Sequence, residues 1–372
     1  LFRSSAASDV YKRQVPKNVV EFYDDDFRSN PIGTGPFKFK RWEENIKLVL
    51  RKNENYFQKD SIGNQLPYLE AVSVTFLPEK QSEFLQLVKG KIDFISGLDN
   101  SYKDEIITND GRLNEFYKDR IKMLRGPYLN TEYLAFFLKS EKNEIKSELI
   151  RKAINIGFDK RKMLKFLRNG VGIPAEAGFI PSGLPGYKKN NINKYNTELA
   201  KSYVSNYKEK YNSTPSLTLT TSSNYLDLCE FIQKELEKLG IEINIDVIPG
   251  SALKQAKANG KLDFFRASWI ADYPDAENYL SLFYSKNLAP DGPNYTHFSN
   301  DEYDRMYENS LKETNPEKSK LLYQKMDSII TSKSIIVPLF YDEVVRFISK
   351  NVVGMEINAT NLLDLRNVRK VD

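Results

Sequence analysis

The sequence predicts an α/β protein with two lobes, and three observations support this fold class. The chain has 372 residues, enough for about two domains of roughly 150 residues each. Apolar residues make up 40% and charged residues 28%, a balance typical of globular domains. Short strand-like segments alternate with amphipathic helical segments along most of the chain, which indicates a parallel or mixed sheet covered by helices.

The N-terminal third is predicted to contain strands and one short helix. Phe37 and Phe39, followed by Ile46, Leu48 and Leu50, alternate with polar residues as they do in strands. A strand is expected at 71–77, a helix at 82–90 that ends at Gly90, and a strand at 91–95. Such a strand–helix–strand unit with short connections is typical of a parallel or mixed sheet.

The remaining two thirds repeat this alternation. The helix predicted at 226–239 has the apolar stripe Leu228, Cys229, Ile232, Leu236 and Leu239 and ends at Gly240. The segment 170–187 is rich in Pro and Gly and is expected to be a loop. Strands are expected at 128–138, 217–221, 241–247, 262–268, 335–340 and 344–348, and further helices at 146–158, 251–259, 301–312 and 316–331.

Composition excludes several classes of function. One His and one Cys are too few for a His/Cys metal cluster or an internal disulfide. The net charge of +5 comes from 55 basic and 50 acidic residues spread along the chain, which argues against nucleic acid as a partner. No run approaches 18 apolar residues, so no transmembrane helix is predicted. Residues 1–14 lack periodicity and an apolar signal region, and we interpret them as a non-native leader.

The segment 264–275 has the most informative side chains. A predicted strand runs into a loop and places Arg266, Trp269, Asp272 and Tyr273 near its carboxyl end, the end at which open α/β sheets bind ligands. A cation, an anion and two rings suit a zwitterionic, peptide-like ligand. An ion pair between Arg266 and Asp272 with a purely structural role is an equally open interpretation.

A catalytic alternative rests on the acidic residues of the same region. Asp263, Asp272, Asp275 and Glu277 fall within fifteen residues, so Asp272 with Asp275 or Glu277 could act as the carboxylate pair of a hydrolase. The sequence does not set the separation of these groups, and such clusters arise readily in a chain with 50 acidic residues. An enzyme is therefore not the expected class.

Several blocks together resemble the family 5 extracellular solute-binding proteins of ABC transporters, the peptide, oligopeptide and nickel-binding group. The match extends over nearly everything from about Asn30 onward, in the order in which the family has these blocks. They are 31–37 (PIGTGPF), 50–57 (LRKNENYF), 90–94 (GKIDF), 150–155 (IRKAIN) with 158–160 (FDK), 180–183 (IPSG), 269–275 (WIADYPD) and 336–340 (IVPLF).

The resemblance implies a two-lobed periplasmic-binding-protein-like fold, type II, in the cluster with an extra subdomain and with its N-terminal part missing. It implies that 15–125 and 345–372 are the remains of lobe I, and that 126–344 form lobe II. We expect a substrate-binding component of an ABC importer that binds peptides in a cleft between the lobes and delivers them to the permease and ATPase subunits. Another solute such as an oligosaccharide is the alternative, and one His disfavours the nickel branch.

The family also implies roles for particular residues. Asp272 occupies the position that takes the ligand's α-ammonium group, and Arg266 a position that takes its C-terminal carboxylate. Trp269 and Tyr273 would line side-chain pockets, and Tyr341 another wall. No cofactor or metal is implied. The family leads us to expect a monomer in the periplasm or lipid-anchored at the cell surface.

Overall fold

The computed structural model describes residues 15–99, 101–190 and 192–371. The leader predicted at 1–14 lies outside the described residues. The chain divides into two compact units. Unit 1 takes the chain up to Ile106, Leu113–Arg125 and the chain from Val344 onward, and unit 2 takes Ile107–Arg112 and Gly126–Glu343. The short segment Ile107–Arg112 belongs to unit 2, although it falls within the range expected for lobe I.

The strands have the following bounds: β1 Phe37–Glu43, β2 Lys47–Lys52, β3 Ala71–Thr75, β4 Phe94–Ser96, β5 Ile121–Phe136, β6 Ile173–Pro174, β7 Ser216–Thr221, β8 Glu242–Val247, β9 Phe264–Ile270, β10 Ile336–Ser349, β11 Val352–Val353 and β12 Arg369–Lys370. The helices are α1 Lys17–Tyr23, α2 Lys80–Val88, α3 Lys103–Ile106, α4 Asn143–Lys146, α5 Glu148–Ile156, α6 Lys160–Arg168, α7 Thr197–Tyr211, α8 Leu226–Glu237, α9 Gly250–Ala258, α10 Glu277–Leu280, α11 Asp301–Lys312 and α12 Pro316–Ser332.

Unit 1 contains an antiparallel sheet of β1, β2 and β3. Its register places Leu50 between Phe39 and Val72, so apolar residues of three strands share one face. The expectation that 71–77, 82–90 and 91–95 form a strand–helix–strand crossover in one sheet is wrong. β3 pairs with β2, whereas β4 pairs with the end of β10, because the alternating apolar residues of β3 match those of the preceding hairpin.

The second predicted crossover is confirmed in unit 2. β7 is parallel to both β8 and β9, and β9 is antiparallel to β5. Helix α8 connects β7 to β8 and buries its predicted apolar stripe against the sheet, including the free thiol of Cys229. The core cluster around it contains Leu134, Phe136, Leu219 and Phe264. These contacts fix β9, the strand that leads to the candidate site.

β10 is one continuous strand of 14 residues rather than the two strands predicted at 335–340 and 344–348. The polar residues Asp342 and Glu343 lie between the two predicted segments. In the structure both carboxylates have partners: Asp342 pairs with Arg168 at 2.6 Å, and Glu343 accepts the backbone N–H of Gly172 at 2.7 Å. Tertiary contacts therefore allow polar residues in the middle of a strand.

Helix α7 was not predicted from the sequence. Its buried residues Ala200, Val204 and Tyr207 do have helical spacing, but they include only one aliphatic side chain larger than alanine. The Asn196 side chain caps the helix by accepting the N–H of Leu199 at 3.0 Å. Asparagine before a helix that starts with Thr and Glu is a signal from which α7 could have been found.

Candidate ligand-binding site

The candidate site lies in unit 2, where β9 runs into the loop before α10. The loop begins at Ala271, whose N–H donates to the Leu129 carbonyl at 2.8 Å. This bond extends the β5–β9 ladder, in which Asn130 pairs with Ile270. The start of the loop is therefore held by the sheet.

Asn278 organises the loop from its far end. Its Oδ1 accepts the Trp269 indole N–H at 2.8 Å and the Asp272 backbone N–H at 3.2 Å. Asn278 is buried, with 6% of its surface exposed, so these bonds are shielded from water. One amide oxygen thus positions the ring of Trp269 and the backbone of Asp272, both of which are predicted site residues.

Glu277 holds Tyr273 in the same loop. The hydroxyl groups of Tyr273 and Tyr307 donate to the two carboxylate oxygens of Glu277. Burial, reinforced by this bond, raises the pKa of Tyr273 to about 12. The Glu277 N–H in turn donates to Asp275 Oδ1 at 2.8 Å. Asp275 and Glu277, the two acids considered as catalytic partners of Asp272, thus both accept hydrogen bonds from other groups of the protein.

The Asp272 carboxylate has a different environment from these acids. Its residue is exposed, and no group in the described part of the chain donates a hydrogen bond to the carboxylate or forms an ion pair with it. Its backbone is nevertheless fixed through Asn278. An oriented anion without an internal partner can accept a cation from a ligand.

Arg266 pairs with an acid other than Asp272. Because side chains alternate along a strand, Arg266 and Trp269 point to opposite faces of β9. The Arg266 guanidinium contacts the Glu132 carboxylate and lies over the Tyr225 ring, 3.2 Å from its centroid. The ion pair between Arg266 and Asp272 considered from the sequence is therefore not formed.

A row of polar groups continues from Glu132 across the sheet. The Asn130 amide nitrogen donates to Glu132 Oε1 at 3.1 Å and to Asp342 Oδ2 at 3.3 Å. Asp342 also binds Arg168. Burial raises the pKa of the Glu132 carboxyl group above its usual range, while Arg266 and Asn130 oppose that shift. We call Glu132, Arg266, Asn130 and Asp342 the polar row.

Tyr341 is buried in unit 2, with 2% of its surface exposed. Its hydroxyl donates to the Gly178 carbonyl at 2.8 Å and accepts the Gly178 N–H at 3.2 Å. Burial raises the pKa of this phenol well above its usual value. In this arrangement the hydroxyl anchors the loop at Gly178.

Sequence reasoning missed Asn278, Glu132 and Tyr225. Asn278 lies six residues after Asp272, and no motif distinguishes it from other polar loop residues. Glu132 stands in a buried strand between Thr131 and Tyr133, where a charged residue indicates a buried partner. This unusual position could have indicated that Glu132 has a buried partner, but it could not have identified that partner.

A cavity of 480 Å³ lies elsewhere in unit 2 and contains none of the predicted site residues. Its lining includes Asn155, Asn193 and Ser334. The Asn155 amide donates to Asn193 Oδ1 at 2.7 Å and to Ser334 Oγ at 3.3 Å. These buried polar groups are hydrogen-bonded to one another, so they are less available to a ligand than the Asp272 carboxylate is.

The described residues contain neither a cluster of metal-ligating side chains nor a helix that could span a membrane. In residues 15–99, 101–190 and 192–371, His, Cys, Asp and Glu side chains form no group of three or more that could hold a metal ion. In the same ranges, every helix is too short or too polar to cross a membrane.

Comparison with known proteins shows which proteins this chain is similar to. The family model for bacterial extracellular solute-binding proteins, family 5 Middle, matches residues 3–291. The Probable D,D-dipeptide-binding periplasmic protein DdpA of Escherichia coli is 26% identical over 92% of this chain and 64% of its own length. Oligopeptide-binding protein AppA of Bacillus subtilis is 24% identical over 95% of this chain and 64% of its own. The chain thus spans less than two thirds of the length of these curated relatives.

Solved structures agree on the fold. The periplasmic binding protein DppA from Helicobacter pylori, in complex with peptide STSA, has a TM-score of 0.76 at 23% identity and covers 96% of this chain and 67% of its own. AppA from Bacillus subtilis, in complex with a nonapeptide, has a TM-score of 0.73 at 22% identity over 96% and 72% of the two chains. At such identities the likeness concerns the fold.

The mixed α/β units have the fold of these periplasmic and peptide-binding structures, and the matching family model describes solute-binding proteins. The chain belongs to the bacterial extracellular solute-binding proteins of family 5. The predictions of fold class and of family are therefore confirmed.

Proposed function

We propose that this chain is the peptide-binding component of an ABC importer, and that Asp272 takes the ligand's α-ammonium group. The observation that carries the proposal is an exposed carboxylate, unpaired among the described residues, whose backbone is fixed by buried Asn278. A residue whose backbone is already fixed by the fold loses little backbone entropy when a ligand binds. The peptide-binding relatives support peptides as the ligand class.

The groups beside Asp272 fit a peptide with a variable side chain. Trp269 and Tyr273 are tied by their polar atoms to Asn278 and Glu277, so their rings are held in fixed orientations. Rings provide apolar surface with little chemical selectivity. We propose that affinity comes from the ammonium group and the peptide backbone, while the rings tolerate different side chains.

The wider role follows from the family and is part of the same proposal. The peptide would be passed to the permease and ATPase subunits by a monomeric protein, which is periplasmic or lipid-anchored at the cell surface. The roles predicted for Arg266 and Tyr341 stay predictions. Arg266 faces Glu132, and the Tyr341 hydroxyl is bonded to Gly178.

The test compares free and N-acetylated tetra-alanine by isothermal titration calorimetry. The wild-type protein should bind the free amine and bind the acetylated peptide about tenfold more weakly or worse, because acetylation removes the charge that pairs with Asp272. Asp272→Asn should remove this difference. Asp246→Asn, an exposed acid on β8, is the matched control and should retain it.

The same titration separates the rivals. Equal affinity of wild type for both peptides would contradict the role of Asp272. A wild-type protein that ignores both peptides and binds an oligosaccharide would contradict the proposed ligand class.

A further inference from the structure

The register of β5 and β9 brings Glu132 and Arg266 to the same face of the sheet. Glu132 lies opposite Ser268, and Arg266 precedes Ser268 by two residues. Residues i and i+2 share a face, and diagonal neighbours on adjacent strands are within reach of long side chains. Their side chains meet as an ion pair with 9% of the Arg266 side chain and 3% of the Glu132 side chain exposed.

Glu132 changes what Arg266 can offer to a ligand. A lone guanidinium attracts a carboxylate, but here the positive charge is already balanced in a poorly hydrated environment. A second carboxylate approaching Arg266 would meet repulsion from Glu132. Two further cations lie nearby: Arg168 pairs with Asp342, and Lys257 lies by the ring of Phe265, the residue before Arg266.

The ion pair does not exhaust the hydrogen-bonding groups of the polar row. Arg266 Nε and Asn130 Oδ1 are both buried and have no hydrogen-bond partner among the described residues. Arg266 Nε–H is a hydrogen-bond donor and Asn130 Oδ1 is an acceptor, and an amide group complements both. The row is therefore suited to uncharged polar groups rather than to anions.

The polar row lies at a distance from Asp272 that a short peptide can span. Ser268, the residue opposite Glu132, precedes Asp272 by four residues, which span at most about 13 Å when extended. A peptide held at Asp272 and running back along β9 would bring the end of its fourth residue to this position, since an extended residue covers about 3.3 Å.

We infer that Glu132 is a specificity-determining residue: it neutralises Arg266, so that the protein rejects a carboxylate at this position and accepts peptides whose group there is uncharged. The inference rests on the proposed function, because it assumes a peptide anchored at Asp272. It differs from the role implied by the family resemblance, in which Arg266 takes the C-terminal carboxylate.

The experiment measures the affinity ratio of tetra-alanine with a free C-terminal carboxylate to tetra-alanine amide. Wild type should bind the amide at least as well as the acid. Glu132→Gln, which keeps the shape and removes the charge, should shift the ratio about tenfold toward the acid, because Arg266 is then free to pair with it. Glu242→Gln, an exposed acid on β8, should leave the ratio unchanged.

A double variant, Glu132→Gln with Arg266→Gln, keeps the inference testable if the single variant misfolds, because it leaves no unpaired buried charge. Its ratio should equal that of wild type. A tenfold loss of acid binding in the double variant, or an unchanged ratio in folded Glu132→Gln, would overturn the inference. Neither result would contradict the proposed binding of peptides. If wild type binds neither peptide, the proposed function fails and the inference falls with it.

Discussion

Asp327 Oδ1 accepts a hydrogen bond from the backbone N–H of Phe179 at 2.8 Å. Asp327 lies on α12 and is buried, and burial raises the pKa of its carboxyl group to about 7. Among the described residues, no cation contributes to this pKa shift, and the phenols of Tyr303 and Tyr341 lie nearby. The loop at Phe179 is therefore joined to α12 by a carboxyl group that is costly to ionise.

This carboxyl group predicts a loss of stability with rising pH. Its pKa is about 7 in the folded chain and 3.8 as the ordinary value, so between those values the unfolded state binds fewer protons. The contribution is present below pH 3.8, is lost as pH rises, and amounts to an effect on the order of 4 kcal/mol by pH 7. Asp327→Asn should remove this slope in urea unfolding from pH 4 to 7, whereas Asp246→Asn should keep it. A slope in Asp327→Asn equal to that of wild type would show that other groups cause it.

Gly178 is predicted to tolerate no side chain. A Cβ atom at this position would lie 1.8 Å from Asp327 Oδ2, and the loop is also tied to Tyr341. Gly178→Ala should lower the free energy of unfolding by about 1–3 kcal/mol or more. Gly250→Ala, where a Cβ meets nothing within 4 Å at the start of α9, should not destabilise the chain. Equal melting temperatures for both variants would contradict this account.

Lys160 predicts a slope of the opposite sign in a different pH range. Its buried ammonium group donates to Asn155 Oδ1 at 3.3 Å, and to the carbonyls of Ala175 at 3.2 Å and Asn193 at 3.4 Å. Burial lowers its pKa from 10.5 to about 7. Between these values the unfolded state binds more protons, so stability should rise with pH from 7 to 10.5, by a contribution on the order of 5 kcal/mol.

The variant that checks this slope is Lys160→Met, in which the increase between pH 7 and 10 should disappear. Lys165→Met, an exposed lysine on the same helix, should behave as wild type in the same chemical denaturation series. If Lys160→Met retained the slope, the buried ammonium would not be its source.

Asn278 is predicted to matter for both stability and ligand binding. Asn278→Ala leaves the Trp269 indole N–H and the Asp272 backbone N–H without their acceptor, which should cost about 1–3 kcal/mol. It should also weaken binding of free-amine tetra-alanine, since Asp272 is no longer held in place. Asn278→Asp keeps an acceptor oxygen and should retain more of the affinity. Affinities would be measured by calorimetry. If both variants lost the same affinity, this positioning role would be contradicted.

Helices and strands with a regular apolar pattern were predictable because local periodicity determines them. The stripe of α8 and the alternating residues of β8 contain that information within a dozen residues. The errors in β10 and β3 occurred where contacts distant in sequence override the local pattern. β10 continues through Asp342 because Arg168 neutralises it, and β3 joins the preceding hairpin rather than β4.

For the candidate site, the sequence by itself determined the chemistry available: an acid, a cation and two rings at the end of β9, in a family of solute-binding proteins. The face on which each side chain lies follows from strand alternation, and it separates Arg266 from Trp269. Only the tertiary structure decided that Arg266 pairs with Glu132, which is 134 residues away, and that Asp272 has no such partner among the described residues. The reason is physical, since a charge is neutralised by whichever group the fold brings within a few ångströms, and sequence distance carries no information about that.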